Sequence, residues 1–312
     1  MRRFKSILLV ADGSEGEKSV LARAVRLASA NSAKLTLFAA LDAEGYQFND
    51  QETRSAIEAI NKANLEDRRK ELESLRQEAI SEHPQLTIDV AVETGSMAVS
   101  VILAVLLNHH DLVMKAAGEI TGKWKRLFGT GDRKLMRKCP CPVWIAKPSS
   151  EAHFRRILAA VDLDPTEPDT ESLARRIMEL ATSLATGGGG ELHVVHVWRL
   201  AAETALRGRQ IDTTDVDKIV QGIEAAHRSE LDRLLGPYPY DKRTVHLIKG
   251  QAGDVIPDLA ERLEVDLVVI GTVGRAGVPG LLIGNTAEEI LNAVDCSVLT
   301  LKPEGFETPI QV

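Results

Sequence analysis

Long apolar runs are missing from this sequence of 312 residues. The longest strongly apolar stretch, from Val99 to Leu107, contains Ser100 and is far shorter than the roughly 20 residues that a membrane-spanning helix needs. The run from Ile7 to Ala11 is too short for the apolar core of a signal peptide and is followed by Asp12. The sequence therefore predicts neither a membrane helix nor a secretion signal.

Cysteine is scarce as well. The three cysteines are Cys139, Cys141 and Cys296, and they lie at the edges of predicted core strands. Three thiols do not make the disulfide framework that small secreted proteins use. We therefore expect a cytoplasmic protein whose cysteines are reduced.

Positive charge is in deficit, because 38 lysines and arginines stand against 45 aspartates and glutamates, for a formal net charge of -7. Proteins that hold DNA or RNA usually present a basic surface, so this balance argues against a nucleic-acid partner. With 44% hydrophobic and 27% charged residues, the composition is typical of a globular protein, and the length allows two domains.

Recognisable catalytic and metal-binding patterns are also missing. We find no Ser/His/Asp order with a nucleophile elbow, no carboxylate pair in a glycine-rich pocket and no metal-ligand set. Cys139 and Cys141 could be combined with His109 and His110 as a metal site, but two thiols separated by a single proline do not have the spacing of a zinc site. We expect no catalytic residues and no bound metal ion.

The most informative stretch runs from residue 266 to residue 303. Leu267 to Ile270 is a short apolar run typical of a buried parallel strand. Gly271 and Gly274 allow a sharp turn at the strand end that leaves amide groups free to face an anion. Gly284-Asn285-Thr286 precedes a helical pattern that Asn or Thr can cap, and the start of a helix favours anions. The pattern predicts that both ends of a nine-residue flap hold one phosphate chain.

The chain also repeats itself. Asp162 follows an apolar strand in the second half as Asp12 does in the first, 150 positions earlier, and Asp266-Leu-Val matches Asp111-Leu-Val with an offset of 155. Strands and helices alternate in each half, which predicts two tandem, doubly wound α/β domains, each with an open, parallel, five-stranded sheet. The predicted domains span residues 1–149 and 153–312.

The two halves differ at the glycine loop. In the first half, Ala116 and Glu119 replace Gly271 and Gly274. A carboxylate at Glu119 would repel a phosphate, so we infer that the first half has lost polyphosphate binding. Fragments of the motif remain there at Asp12, Gly129 and Thr130.

Two further features are assigned structural roles. The charged segment from Gln51 to Ser81 predicts a long helix that faces water, since many of its charges are spaced for i to i+4 pairing. His193 and His196 lie in an apolar strand and are expected to be packed or hydrogen-bonded core residues.

The glycine spacing resembles the nucleotide-binding loop of the universal stress protein family, and the order of elements along the whole chain resembles its tandem type. The resemblance implies adenine nucleotide alpha hydrolase-like, Rossmann-like domains packed as a pseudo-dimer. It also implies a non-enzymatic stress-response protein that binds ATP, with Mg²⁺, or a related phosphorylated ligand in its C-terminal domain. One departure is Asn285, where nucleotide-binding members usually carry Ser or Thr.

The resemblance also implies a role for each site residue. Asp162 would hold the ribose, and the backbone near Val197 would meet the adenine edge. Ile270 belongs to the same set, and Arg275 would add a cation near the phosphates. The phosphates themselves would be held at Gly271, Gly274, Gly284, Asn285 and Thr286.

Simpler interpretations remain open. The glycines at 271 and 274 then only make a turn, Asp162 caps a helix and Arg275 is a solvated surface residue. Two other functions also remain, namely an adenine-nucleotide hydrolase or transferase and a carrier of an apolar or amphiphilic ligand. The carrier rests on Val99 to Leu107, which is apolar on nearly every side, so that another domain or a ligand must cover it.

The last predicted strands concern assembly. Val143 to Ala146 and Val298 to Leu301 each end a domain and would leave an unpaired sheet edge. We therefore predict that the two halves pair within one chain as single-domain relatives pair in a homodimer, and a further homodimer remains open.

Overall fold

The computed structural model describes residues 3–42, 51–118, 128–148, 154–163, 168–200, 213–239, 241, 244–272 and 284–311. The chain divides near residue 152 into two compact units, and residues 306–311 group with the first. Among the described residues, no helix combines the length and apolarity that crossing a membrane requires.

The first unit alternates strands and helices. Its described elements are β1 (Ser6–Val10), α1 (Glu17–Asn31), β2 (Lys34–Leu41), α2 (Gln51–Glu82), β3 (Ile88–Thr94), α3 (Met97–Asn108), β4 (Leu112–Ala116), α4 (Thr130–Lys138) and β5 (Val143–Ala146). The strands are parallel, and their order across the sheet is β3-β2-β1-β4-β5.

The second unit repeats this plan. Its described elements are β6 (Arg156–Ala160), α5 (Pro168–Gly188), β7 (Glu191–Trp198), α6 (Thr213–Leu235), β8 (Val245–Lys249), α7 (Ala252–Arg262), β9 (Leu267–Gly271), α8 (Asn285–Ala293) and β10 (Ser297–Leu301). The strand order is β8-β7-β6-β9-β10, again parallel. The predicted fold class, two tandem α/β domains with parallel sheets, is confirmed.

The strand order fixes where a ligand can bind. Right-handed crossovers put α1 and α2 on one face of the first sheet, and α3 and α4 on the other. The direction of winding reverses between β1 and β4, and between β6 and β9 in the second unit. A crevice forms outside the carboxyl ends of the strands at such a reversal, because the loops that follow the two strands diverge.

The repeated Asp-Leu-Val motif anchors the first strand of each unit. The carboxylate of Asp111 accepts hydrogen bonds from the backbone amides of Lys5 and Ser6, at 2.7 and 3.1 Å. Asp266 accepts bonds from the amides of Arg155 and Arg156 at 2.7 and 2.9 Å. The repeat therefore preserves a contact that sets the register of the two strands flanking the crevice.

The apolar sequence of helix α3 is accounted for by burial within its own unit. Val101 and Ile102 are fully buried, and the helix packs against β2 and α4 of the same unit. Leu107, in its last turn, is 60% exposed. Neighbouring elements of the same unit thus cover most of the apolar surface of α3, for which the sequence required a covering domain or ligand.

Helix α2 is the long solvated helix that the charge pattern predicted. Most of its residues are exposed or half-buried, while Leu72 is fully buried. Arg68 differs from most of the charged residues of this helix because it is largely buried and paired. Its guanidinium lies 2.6 Å from Glu17 of α1 and 2.7 Å from Glu71. The helix is therefore tied to the first unit by both a packed leucine and an ion pair.

Candidate functional site

The crevice of the second unit brings together several of the predicted residues. Ala160 of β6 pairs with Ile270 of β9, and Asp162 follows two residues after Ala160. Val197 lies near the carboxyl end of the adjacent strand β7. Ile270 is buried, whereas Asp162 is exposed. The Asp162 carboxylate, the carboxyl end of β7 and the buried Ile270 side chain therefore belong to the same end of the sheet.

Gly271 is a glycine for a reason that the sequence did not indicate. It still belongs to β9 and pairs with Leu301, so the chain has not yet turned off the strand. A Cβ at this position would lie 2.5 Å from Cδ2 of Leu173 on α5. The predicted sharp turn at Gly271 is therefore wrong, and close packing against α5 is what excludes a side chain.

One backbone hydrogen bond joins the two ends of the loop, and a second ties the first end to β10. The Thr272 amide donates to the Leu301 carbonyl at 3.0 Å, and the Gly284 amide donates to the Thr272 carbonyl at 3.0 Å. The amide of Gly284 is therefore committed within the protein. Gly274 and Arg275 lie outside the described residues.

Helix α8 begins at Asn285, and Gly284 is its N-cap residue. The expectation that the Asn285 or Thr286 side chain caps the helix is wrong, because both residues already lie within its first turn. Both are exposed, and amides in a first turn have no acceptor inside the helix. This helix start retains the capacity to bind an anion.

Lys302 and Thr272 form a polar contact that the sequence analysis missed. The Lys302 ammonium lies 2.5 Å from Oγ1 of Thr272, and both residues are almost completely buried. Arg176 of α5 donates to the carbonyl of Lys302 at 2.7 Å. The Thr272 carbonyl accepts the Gly284 amide, so the Lys302 ammonium contacts the same residue that closes the loop.

The corresponding crevice of the first unit contains an ion network. The Lys115 ammonium, at the end of β4, lies 2.7 Å from Oδ2 of Asp12 and 3.2 Å from Oδ1 of Asp132. It also donates to the Ala116 carbonyl at 2.9 Å. The second carboxylate oxygen of Asp132 accepts the Gly129 amide at the start of α4, at 2.9 Å. The aspartate at the strand end and the helix start are thus both engaged by the protein itself.

The charges of this network stabilise one another. Burial alone would raise the pKa of Asp12, but the Lys115 ammonium and Ser14 outweigh it, so the pKa lies below its ordinary value. Burial alone would lower the pKa of Lys115, and the carboxylates of Asp132 and Asp12 outweigh that effect and raise it. Asp12 and Lys115 are therefore held in their charged forms at neutral pH.

The same positions in the second unit are apolar. With the offset of 155, Ile270 replaces Lys115 and Ala287 replaces Asp132, while Asp162 retains the place of Asp12. A comparison of the two halves reveals this exchange, because a lysine at the end of an otherwise apolar strand is matched by an isoleucine. Neither the loop glycines nor the strand-end aspartates, on which the sequence-based comparison of the halves rests, reveal this exchange.

The loop after β1 is held by another carboxylate of the first unit. Glu17 Oε2 accepts the Gly13 amide at 2.6 Å and the Arg68 guanidinium at 2.6 Å. Gly13 has a positive φ of 76°, which favours glycine. Near Arg68, a cavity of about 370 Å³ is lined mainly by polar side chains, among them Asn61, Asn64 and Asp67.

The histidines have structural partners. His196 Nδ1 lies 3.1 Å from the Val161 carbonyl, and its Nε2 lies 2.9 Å from Nδ1 of His227. His193 Nδ1 lies 3.1 Å from Nε2 of His246. The prediction that His193 and His196 are hydrogen-bonded core residues is confirmed.

The two histidines considered together with Cys139 and Cys141 have other places in the fold. His109 ends α3 in a left-handed conformation, and His110 Nδ1 lies 2.8 Å from the Ser6 hydroxyl. Within the described part of the chain, no three histidine, cysteine, aspartate or glutamate side chains are grouped to hold a metal ion.

A family model described as the universal stress protein family matches residues 3–147 and again residues 153–302. The chain belongs to the universal stress protein family. The resemblance inferred from the glycine spacing is thus confirmed, and each α/β unit carries one universal stress protein domain.

Several relatives match along nearly the whole chain. The chain is 27% identical to universal stress protein E of Salmonella typhi, with 100% of this chain and 98% of the relative covered. It is 28% identical to a universal stress protein E homolog of Haemophilus influenzae, over 96% of this chain and 98% of the relative. A solved structure of a functionally unknown protein from Pseudomonas aeruginosa PAO1 is 25% identical, with a TM-score of 0.74, covering 98% of this chain and 95% of that one.

Proposed function

We propose that this universal stress protein binds ATP, with Mg²⁺, or a related phosphorylated ligand in its second unit, at one site per chain. The observation that carries the proposal is the exchange of Lys115 and Asp132 for Ile270 and Ala287. In the first unit, an ammonium and a carboxylate engage the strand-end aspartate and the helix start. In the second unit apolar side chains stand at these two positions, so neither a lysine nor an aspartate from there competes with a ligand for the crevice.

Each part of the proposed site has its own role. The first-turn amides of α8, at Asn285 and Thr286, would donate to phosphate oxygens, since the partial positive charge of a helix start favours anions. Asp162 would accept hydrogen bonds from ribose hydroxyls, and the backbone at Val197 would meet the base edge. Gly274 would let the loop backbone approach the phosphates, and Arg275 would add a cation.

We further propose that the ligand is bound without efficient turnover. Backbone donors hold a ground-state polyphosphate about as well as its transition state, and such uniform binding does not accelerate the reaction. Phosphoryl transfer also needs a group that orients the nucleophile. Asp162 would be occupied with the ribose, and Glu288, in the first turn of α8, is accounted for by the helix dipole. The proposed role is that of a cytoplasmic ligand-binding protein of the stress response.

The carrier alternative receives less support. Helix α3, whose apolar sequence suggested it, is covered largely by β2 and α4. The cavity near Arg68 is lined by Asn61, Asn64 and Asp67 together with other polar groups, which suits an apolar ligand poorly.

A calorimetric titration with ATP and Mg²⁺ tests the proposal. We expect one site per chain in the natural sequence and strongly weakened binding in Ile270→Lys/Ala287→Asp, because that variant transfers the ion network of the first unit into the second. The matched control is Asp132→Asn, which alters only the first unit and is expected to leave the titration unchanged. Two equivalent sites, or full affinity in the double variant, would contradict the proposal.

The same preparation addresses turnover. A steady-state assay of phosphate release with Mg²⁺ or Mn²⁺ is expected to show less than about one turnover per minute, far below the rates typical of enzymes. Faster release that disappears in both Asp162→Ala and Gly274→Glu, while the fold survives, would identify the protein as an enzyme.

A further inference from the structure

Two cysteines of the first unit face each other at the amino end of β5. The Sγ atoms of Cys139 and Cys141 are 3.6 Å apart, and both thiols are free. Cys139 is fully buried, whereas Cys141 is partly exposed. The ligand crevice lies at the carboxyl ends of the strands, so this pair belongs to the opposite edge of the sheet.

The backbone around the pair is fixed on both sides. The Cys139 amide donates to the Leu135 carbonyl of α4 at 2.8 Å, which ends the helix. The Pro142 carbonyl accepts the Val113 amide of β4 at 3.0 Å, which begins the pairing of β5. Pro140 stands between the thiols and restricts φ of the connecting residue. The two sulfurs are therefore held near each other by the fold.

We propose that Cys139 and Cys141 are a redox-active dithiol that closes to an intramolecular disulfide in exchange with a low-molecular-weight disulfide such as oxidised glutathione. The two sulfurs of a disulfide are about 2.05 Å apart. Small rotations of the two cysteine side chains would bring the Sγ atoms from 3.6 Å to that distance. Two thiols are too few for a structural zinc site, which takes four ligands. Exchange with a small disulfide is the chemistry that two adjacent thiols can carry out without a metal ion.

The exchange has two balanced steps. The thiolate of Cys141, the more exposed residue of the two, attacks one sulfur of the small disulfide, so that a protein–glutathione bond forms and one glutathione thiolate leaves. The Cys139 thiolate then attacks the Cys141 sulfur, the protein disulfide forms and the second glutathione thiolate leaves. The protein loses two electrons and two protons, and the small disulfide gains them as two thiols.

The surroundings of the pair set the rate of this exchange. The hydrogen bond with Cys139, followed by burial and the nearby Asp111 carboxylate, raises the pKa of Cys141 well above its ordinary value. The thiolate is therefore scarce at neutral pH, and exchange becomes faster as the pH rises. Thiols of high pKa are also poor leaving groups, so the disulfide resists reduction once it has formed.

The second unit supplies a matched control within the same chain. Cys296 occupies the place of Cys141, and Val294 occupies the place of Cys139, at the offset of 155. The backbone angles agree closely, since φ and ψ are -69° and 130° at Cys139 and -74° and 142° at Val294. The second unit thus presents one cysteine in a similar backbone, with a valine in the place of the second thiol.

The test equilibrates the full-length protein with glutathione mixtures of rising oxidised fraction, then quenches with acid, labels free thiols after denaturation and measures intact and peptide masses. We expect Cys139 and Cys141 to lose their labels together, with a mass lower by two hydrogens, while Cys296 stays labelled. Cys139→Ala is expected to stop at a glutathione adduct on Cys141, and Val294→Cys to lose two further labels in the second unit. Cys296→Ser is expected to behave as the natural protein.

The proposal is overturned if all three cysteines keep their labels at every glutathione ratio. It is also overturned if Cys141 of the natural protein remains a glutathione adduct while Cys139 stays labelled, or if masses show disulfides between chains. Circular dichroism of the folded state distinguishes loss of the fold from loss of exchange, and Cys139→Ser provides a second variant if Cys139→Ala does not fold.

Discussion

At the residue scale, a lysine near the end of a buried strand requires partners, and Lys115 has three oxygen acceptors within 3.2 Å. Its side chain is 7% exposed and that of Asp132 is 4% exposed, whereas that of Asp12 is 27% exposed. Desolvation of these charges is offset only while they remain together. The network is therefore expected to be sensitive to the loss of its cation.

We expect Lys115→Met to lower the free energy of unfolding by about 3 to 5 kcal/mol, because it leaves two carboxylates without their cation. Lys115→Ile/Asp132→Ala, which copies the residues of the second unit, is expected to lose less, since it removes the more deeply buried carboxylate as well. Urea unfolding monitored by circular dichroism measures both. A double variant as unstable as Lys115→Met would contradict the explanation.

The same variants have a pH signature. The pKa of Asp12 is lowered on folding, so its stabilising contribution is present above the ordinary value of 3.8 and is lost as the pH falls towards the folded value. The difference in stability between the natural protein and Lys115→Met is therefore expected to shrink below about pH 4. A difference that is independent of pH would show that lost packing, rather than lost pairing, causes the destabilisation.

At the element scale, substitutions at the start of helix α8 can distinguish a structural role of this position from a role in ligand binding. Gly284 is the N-cap with φ and ψ of -59° and 142°, angles that an ordinary residue adopts without strain. Asp and Asn cap helices about equally well and better than Gly. Only Asp places a negative charge at the point where the proposed phosphate would lie.

We therefore expect Gly284→Asp to weaken ATP binding by about tenfold or more through charge repulsion, which corresponds to about 1.4 kcal/mol. Gly284→Asn, of nearly the same shape, is expected to bind within a few-fold of the natural protein, and both variants are expected to match or slightly exceed its thermal stability. Titration calorimetry and thermal unfolding check the two expectations. Equal affinities of Gly284→Asp and Gly284→Asn would remove the helix start from the site.

At the scale of the whole molecule, the pairing of the two halves stays a prediction. It rests on the final strands β5 and β10. Each is the last strand of its domain and would leave an unpaired sheet edge unless another strand covers it. If residues 1–149 and 153–312 are produced as separate chains, we expect them to associate in a one-to-one complex detectable by analytical ultracentrifugation. Two stable halves with no affinity for each other would refute the prediction.

The C-terminal tail calls for one control in that experiment. Residues 306–311 group with the first unit, so a second-half chain ending at residue 305 separates the contribution of the tail from that of the rest. Association that is retained without the tail is the expected result. Association that depends on the tail alone would assign the pairing to this segment rather than to the final strands.

The sequence by itself determined the family and the fold class. Apolar strands of four or five residues, alternating with helices and repeated after about 150 positions, specify a parallel sheet because period and length are local properties of the chain. The spacing of Gly271, Gly274 and Gly284 was equally readable, since the distance between residues along the chain needs no tertiary information.

The tertiary structure alone decided what fills each crevice. Lys115 and Asp132 are 17 positions apart, and Asp12 is more than 100 positions from either, so their ion network exists only because β1 and β4 are neighbours and α4 begins beside them. Gly271 has no side chain because Leu173, from a helix almost 100 positions earlier, occupies the space. Such contacts depend on which elements the strand order brings together. They cannot be read from the spacing of residues along the chain, because the residues in contact are far apart in the sequence.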